Sequence, residues 1–196
     1  MQRGDDHLNN KVRNKPVILN NKPLGRTSTF ECLGVLLDEK LKWDKHIDNI
    51  LKKVGPGIAM LRRAKKFIPT SSLQMIYNAL IQPYFDYCSP LWDICGKHLL
   101  DKLQKFQNRA ARIIAGLSYE TNSADVLESL GWETLESRRQ RMKSVFLYKI
   151  INDYTAPNLK QSLMGSNSMP SSYILRSTDT DIAFPKPRTE FLKKSF

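Results

Sequence analysis

The sequence predicts a mainly α fold: a helical bundle preceded by a short β-hairpin, with a partly irregular C-terminal tail. Three observations carry this. From Trp43 to Ile150, apolar residues recur at steps of three and four, the period of helices with one buried face. Two β-type apolar runs stand before residue 40. After Pro157 the composition shifts to Ser, Asn, Thr and Pro.

Residues 1–15 are polar and aperiodic and read as a loose N-terminal end. The runs 16–19 and 30–37 flank Asn20-Asn21-Lys22-Pro23-Leu24, which predicts one short hairpin within 16–40. Trp43, Ile47, Ile50, Val54, Ile58 and Leu61 share one helical face. Pro56, inside Gly55-Pro56-Gly57, is expected to kink or break that helix. Ser71-Ser72-Leu73-Gln74 reads as a capping box opening a helix with Leu73, Ile76, Tyr77, Leu80, Ile81 and Tyr84 inward; Pro83 bends or ends it.

The clearest helix covers 99–115. Leu99, Leu103, Phe106, Ala110 and Ile113 form its apolar stripe, and Gly116 sits where a C-terminal glycine cap belongs. Ser123 caps a short helix ending at Gly131. A last long helix over 135–154 turns Leu135, Met142, Phe146 and Ile150 inward, and Pro157 closes it. Residues 160–180 read as a loop. The basic tail that follows carries Phe184, Phe191 and Phe196.

A chain of 196 residues is one ordinary domain or one with a short appendage. Its 41% hydrophobic content excludes a wholly disordered chain, and its 9 Gly, 10 Pro and 3 Cys exclude collagen-like, low-complexity and disulfide-scaffold classes. Three cysteines, an odd number, fit a reducing intracellular compartment, nucleus or cytoplasm. The start MQRGDDHLNN lacks the apolar stretch of a secretory signal. No apolar run reaches the roughly 18 residues of a membrane span, so no membrane partner is expected. Lys and Arg number 31 against 19 Asp and Glu, a net charge of +12. That excess points to an anionic partner, nucleic acid ahead of an acidic membrane surface.

Asp5-Asp6 suggests a two-metal carboxylate pair, but such a pair sits on a hairpin between apolar strands. Its flanks here are polar and no third carboxylate precedes it, so it reads as an exposed terminus. Cys88, Cys95 and His98 lie within eleven residues, yet their spacing is not that of paired zinc ligands and no fourth is evident. Cys88 reads instead as a buried thiol. No metal, cofactor or covalent nucleophile is expected in this chain.

The basic residues are more informative. Lys102, Lys105, Arg109 and Arg112 fall on one stripe of the 99–115 helix, a ladder suited to a phosphate backbone; Gln104, Gln107 and Asn108 offer further polar contacts. Arg62-Arg63 with Lys65-Lys66, and Arg138-Arg139 with Arg141 and Lys143, make two more clusters. The rival role for Arg109 is inward, tying helices together through Glu128 or Glu133. Trp43, Trp92 and Trp132 read as core anchors ahead of base-stacking groups.

These residues together resemble a known pattern. Cys32-Leu33-Gly34-Val35-x-Leu37-Asp38-x-x-Leu41-x-Trp43-x-x-His46-Ile47 is similar to the segment closing the palm of LINE-type (non-LTR retrotransposon, jockey-like) reverse transcriptases. Leu61-Arg62-Arg63, Pro69, Tyr77-x-x-Leu80-Ile81-x-Pro83, Tyr87-Cys88 and Leu91-Trp92 continue it. So do Gln107-Asn108-Arg109-Ala110-Ala111-Arg112, Leu130-Gly131-Trp132, Leu135-x-x-Arg138-Arg139, Tyr148-Lys149 and Pro185-Lys186-Pro187-Arg188-Thr189. Each motif alone is weak; the ordered series over about 16–196 is specific.

The resemblance implies a remnant palm hairpin at 16–40 with Cys32, Leu33 and Gly34 at the primer-grip position. It implies a helical thumb at 43–156 and a loop-rich start of a C-terminal region at 157–196. The family activity is RNA-directed DNA synthesis with Mg2+. Its metal-binding aspartates lie on palm strands upstream of this stretch, and Asp5-Asp6 is too close to Leu33-Gly34 to be that pair. The expectation is a fragment of the polymerase, cut at both ends and inactive alone. It would bind an RNA–DNA hybrid or duplex and partner the missing palm and fingers. The alternatives are a freestanding or domesticated helical nucleic-acid-binding protein and a non-functional transposon relic.

Overall fold

A computed structural model describes residues 17–164. The N-terminal end with Asp5 and Asp6, and the tail with its Pro185-Lys186-Pro187-Arg188 run, lie outside the described residues. The described chain is mainly α and divides into two compact units between Leu41 and Lys42.

The first unit holds two antiparallel hairpins where one was expected. Strand β1 (Ile18–Leu19) pairs with β2 (Lys22–Pro23) across Asn20 and Asn21, both at positive φ. Strand β3 (Thr29–Cys32) pairs with β4 (Val35–Asp38), with Cys32 opposite Val35. The run 30–37 is therefore not one strand. It reverses at Leu33 (φ 48°) and Gly34 (φ 79°), and two successive positive φ values are what a two-residue primed turn requires. Gly34 takes that conformation freely; Leu33 does so against its Cβ, with its side chain 86% exposed.

The second unit is helical. In chain order it comprises α1 (Asp44–Ala64), α2 (Thr70–Leu80), α3 (Gln82–Asp86), α4 (Ser89–Trp92), α5 (Lys97–Ala115), α6 (Ser123–Ser129), α7 (Leu135–Ile151) and α8 (Pro157–Met164). Helix α5 is central, packing against α1, α2, α6 and α7. Along α1 the buried residues are His46, Ile47, Ile50, Val54, Ile58 and Leu61, the expected face with His46 added.

Pro56 does not break α1. It lies on the exposed face, so the carbonyl it leaves without a donor can meet water. Gly55 before it has no Cβ to clash with the proline ring. Gly57 serves another contact: a Cβ there would meet Ile81 Cγ1 at 2.8 Å, so α1 lies close against the α2–α3 junction.

The capping box at Ser71 is not formed. Helix α2 begins earlier, behind Pro69, whose fixed φ and extended ψ deliver the chain into the helix without a side-chain cap. Pro83 stands in the first turn of α3, a position where a missing N–H costs nothing. Leu80 and Tyr84 are exposed, and Gln82 and Phe85 are buried instead. Gly116, at φ 72°, ends α5 as expected. Asn122, not Ser123, caps α6, accepting from the Ala124 N–H at 3.1 Å. Helix α7 stops at Ile151, and Pro157 opens α8 where a loop was expected.

Two faces are rotated from expectation. In α5, Gln107, Ala111 and Ile114 are buried while Phe106 and Ile113 are half-buried. In α7, Arg139 is buried one turn after Leu135, and Phe146 is 44% exposed. Polar residues occupy these inward positions because each meets a partner there, the Glu133 carbonyl for Gln107 and Asp93 for Arg139. Trp43 and Trp92 are enclosed, and Trp132 stacks on Tyr77 with ring centroids 4.0 Å apart. No helix among the described residues is long and apolar enough to cross a membrane.

Candidate nucleic-acid interface

Three basic clusters were in view from sequence, and the structure gives them different work. The α7 cluster is spent internally. Arg138 donates to both carboxylate oxygens of Asp86, Nε to Oδ1 at 2.6 Å and Nη2 to Oδ2 at 2.7 Å, and reaches Glu133 at 3.2 Å. Arg141 also pairs with Glu133, at 2.5 Å. The Arg141 hydrogen bond is the chief reason the Glu133 carboxyl is held below its ordinary pKa. Arg139 donates through Nε to Asp93, and Lys143 meets the other oxygen of that carboxylate at 2.5 Å. Bidentate arginine–carboxylate pairs between helices fix orientation as well as charge.

The α5 stripe is different. Lys105 and Arg109 are exposed, and neither has an acidic partner among the described residues. Lys102 stands 3.9 Å from Asp48, both side chains about half exposed, a loose pair. Arg112 is half-buried. Its Nη2 donates to the Thr121 carbonyl at 3.0 Å, and its guanidinium lies over the Tyr119 ring, 5.2 Å from the centroid. Arg109 does not reach Glu133, whose oxygens belong to Arg138 and Arg141.

Arg62 and Arg63 are exposed in the last turn of α1, where the helix dipole favours cations. Phe67, just beyond them, is 85% exposed. The contacts Asp44–His98 and Asp48–Lys102 advance four residues on each helix, so α1 and α5 run parallel there. Their basic C-terminal ends accordingly point the same way. Leu33 and Gly34 form the β3–β4 turn of the first unit, and Cys32, the last residue of β3, is exposed beside them.

The sulfur and imidazole groups do not assemble. Cys88 is exposed at φ 52°, not buried as expected. Cys95 is buried, which pushes its thiol up to about 11. His98 is exposed and 3.8 Å from Asp44. Among the described residues no three His, Cys, Asp or Glu side chains gather as a metal site.

Sequence reasoning missed a polar seam between α5 and the start of α7. Gln107 donates to the Glu133 carbonyl at 3.1 Å; Gln104 donates to Gln107 at 2.7 Å and accepts from the Leu135 N–H at 2.9 Å. The available signal was position: Gln107 follows Leu103 by four residues on the apolar stripe, as Arg139 follows Leu135.

The chain is 28% identical over 108 residues, 53% of its length, to the probable RNA-directed DNA polymerase from transposon X-element of Drosophila melanogaster. It is 24% identical over 139 residues, 68% of its length, to the RNA-directed DNA polymerase from mobile element jockey of the same fly. The resemblance to jockey-like retrotransposon polymerases holds. A further such relative is the probable RNA-directed DNA polymerase from transposon BS, 24% identical over 132 residues, 66% of the chain. The matched stretches cover 12%, 15% and 15% of these three proteins, so the chain spans a small part of the jockey-like polymerases it matches. No family model and no solved structure matches it.

Proposed function

We propose that this chain is the duplex-holding portion of a non-LTR retrotransposon RNA-directed DNA polymerase, with 43–156 acting as its thumb. One observation carries the reading: Lys105 and Arg109 project from the central helix without acidic partners among the described residues, while Arg138, Arg139, Arg141 and Lys143 of α7 are consumed by Asp86, Asp93 and Glu133. A cation that is not neutralised within the protein can neutralise a phosphate, and a ladder of them follows a backbone without reading bases. Lys102 can leave its loose pair with Asp48 at little cost, since exposed pairs are weak.

The exposed Leu33-Gly34 turn supports a primer-grip-like role for Cys32, Leu33 and Gly34. Phosphoryl transfer needs metal-bound carboxylates to stabilise the transferred charge. In this reading those come from the palm of the polymerase, and this chain contributes binding alone.

The test uses the full chain with several RNA–DNA hybrids of unrelated sequence, followed by fluorescence anisotropy. Comparable affinities that fall steeply with salt are expected, with no primer extension when magnesium and nucleotides are added. Strong preference for one defined DNA sequence would instead mark a site-specific binding protein. Absence of hybrid binding would remove the reading.

A further inference from the structure

Tyr119 is 88% exposed on the segment joining α5 to α6, the most open of the chain's described large apolar side chains. It is nevertheless held. The Arg112 guanidinium lies over the ring, 5.2 Å from its centroid, and is itself fixed by the 3.0 Å hydrogen bond from Nη2 to the Thr121 carbonyl. The Arg112 Nε is shut away from water, so this arginine is seated and not swinging free. One side of the ring is therefore backed by a positioned cation, and the ring remains open to solvent.

The placement matters as much as the exposure. Lys102, Lys105 and Arg109 climb α5 toward the seated Arg112, ten residues and about 15 Å of helix from first to last. Gly116 then turns the chain at φ 72°, and Tyr119 stands just beyond the last rung. A strand whose phosphates follow the ladder would bring its end to this ring. Glu120, exposed beside it, repels a phosphate there and leaves a neutral base as the better occupant. The tryptophans do not compete for the role, since Trp43 and Trp92 are enclosed and Trp132 stacks on Tyr77.

We infer that Tyr119, backed by Arg112, is a stacking platform for an unpaired nucleobase at the end of the nucleic acid tracked by the α5 stripe. This rests on the duplex-holding reading above. Any base offers a π-face, so the site selects for an unpaired end and not for base identity. The guanidinium behind the ring anchors it by cation–π attraction.

The experiment uses the full chain and two probes, a blunt RNA–DNA hybrid and the same hybrid with a two-nucleotide overhang carrying 2-aminopurine. Wild type should bind the overhang about tenfold more tightly than the blunt end and quench the 2-aminopurine. Tyr119→Ala should lose both effects while keeping its melting temperature and its blunt-hybrid affinity, and Tyr119→Phe should retain them. Equal binding of the two probes by wild type, or undiminished quenching by Tyr119→Ala, overturns the platform and leaves duplex holding intact. Failure of wild type to bind either probe overturns both.

Discussion

Arg138 on α7 grips Asp86 at the end of α3 through two hydrogen bonds, 2.6 and 2.7 Å long, across 52 residues of chain. Asp86 also accepts from Gln82 Nε2 at 2.9 Å, and Gln82 Oε1 accepts from the Tyr77 hydroxyl at 2.7 Å. On the other side Arg138 shares Glu133 with Arg141. The network joins α2, α3 and α7, so the Leu135-x-x-Arg138-Arg139 motif is an interhelix clamp. Arg138→Ala should lower stability by about 1–3 kcal/mol, the range for charge-assisted hydrogen bonds and the acceptors they leave behind. Arg138→Lys should recover little, since an ammonium cannot make the two-pronged contact. Urea midpoints check this; a midpoint unchanged in Arg138→Ala would return the residue to the surface.

Asp93 carries a heavier burden. It faces Arg139, whose side chain is 5% exposed, and Lys143. Asp93→Ala leaves a buried guanidinium without its counter-ion, which should cost about 3–5 kcal/mol. Thermal or urea unfolding measures it, and a loss below about 1 kcal/mol would mean that Arg139 finds another acceptor.

Most of the fold could be read from the chain. The 3–4 periodicity marked α1, α2 and α5, Gly116 marked the end of α5, and the start of α7 was placed at Leu135. Failures came where one residue carried two signals. Gly34 looked like part of a strand because its neighbours are apolar, yet its freedom at positive φ makes the turn. Pro56 looks like a breaker by residue type, yet Gly55 before it and its place on the exposed face let α1 run through it. At the candidate site, charge identified the cations but not their partners. Arg109 and Arg138 look alike in sequence, and only tertiary packing sets Asp86 and Glu133 against the latter.

The turn of α1 at Gly55-Pro56-Gly57 gives a paired test. Pro56→Ala restores a helix hydrogen bond on an exposed face and should stabilise by up to about 3 kcal/mol. Gly57→Ala gains helix propensity but drives a methyl group into Ile81, which is fully buried. Overpacking costs of about 1–3 kcal/mol should exceed the propensity gain. Melting temperatures for the two variants should move in opposite directions. A stabilised Gly57→Ala would show that Ile81 yields freely.

His46 lies between the rings of Trp43 and Trp92, and burial, aided by Lys53, lowers its pKa from the ordinary 6.5. The unfolded chain thus binds this proton more readily than the folded one. The contribution of neutral His46 is complete above pH 6.5 and declines as pH falls through that value toward the folded-state pKa. Glu133, whose pKa is lowered from 4.5, acts in a more acid window, losing its contribution as pH falls below that figure. Stability measured from pH 7.5 to 5 should fall for wild type and fall less for His46→Gln. Equal slopes would remove His46 as the source.

The salt dependence of hybrid binding tests the duplex-holding claim most directly, through the slope of log K against log salt for wild type, Lys105→Ala/Arg109→Ala and Arg138→Ala. Each lost phosphate contact should flatten the slope by about one, so the α5 double variant should lose about two. The folded fraction of Arg138→Ala should keep the wild-type slope despite its lower stability. A folded α5 double variant with the wild-type slope would contradict the claim and leave Lys105 and Arg109 as ordinary solvated surface.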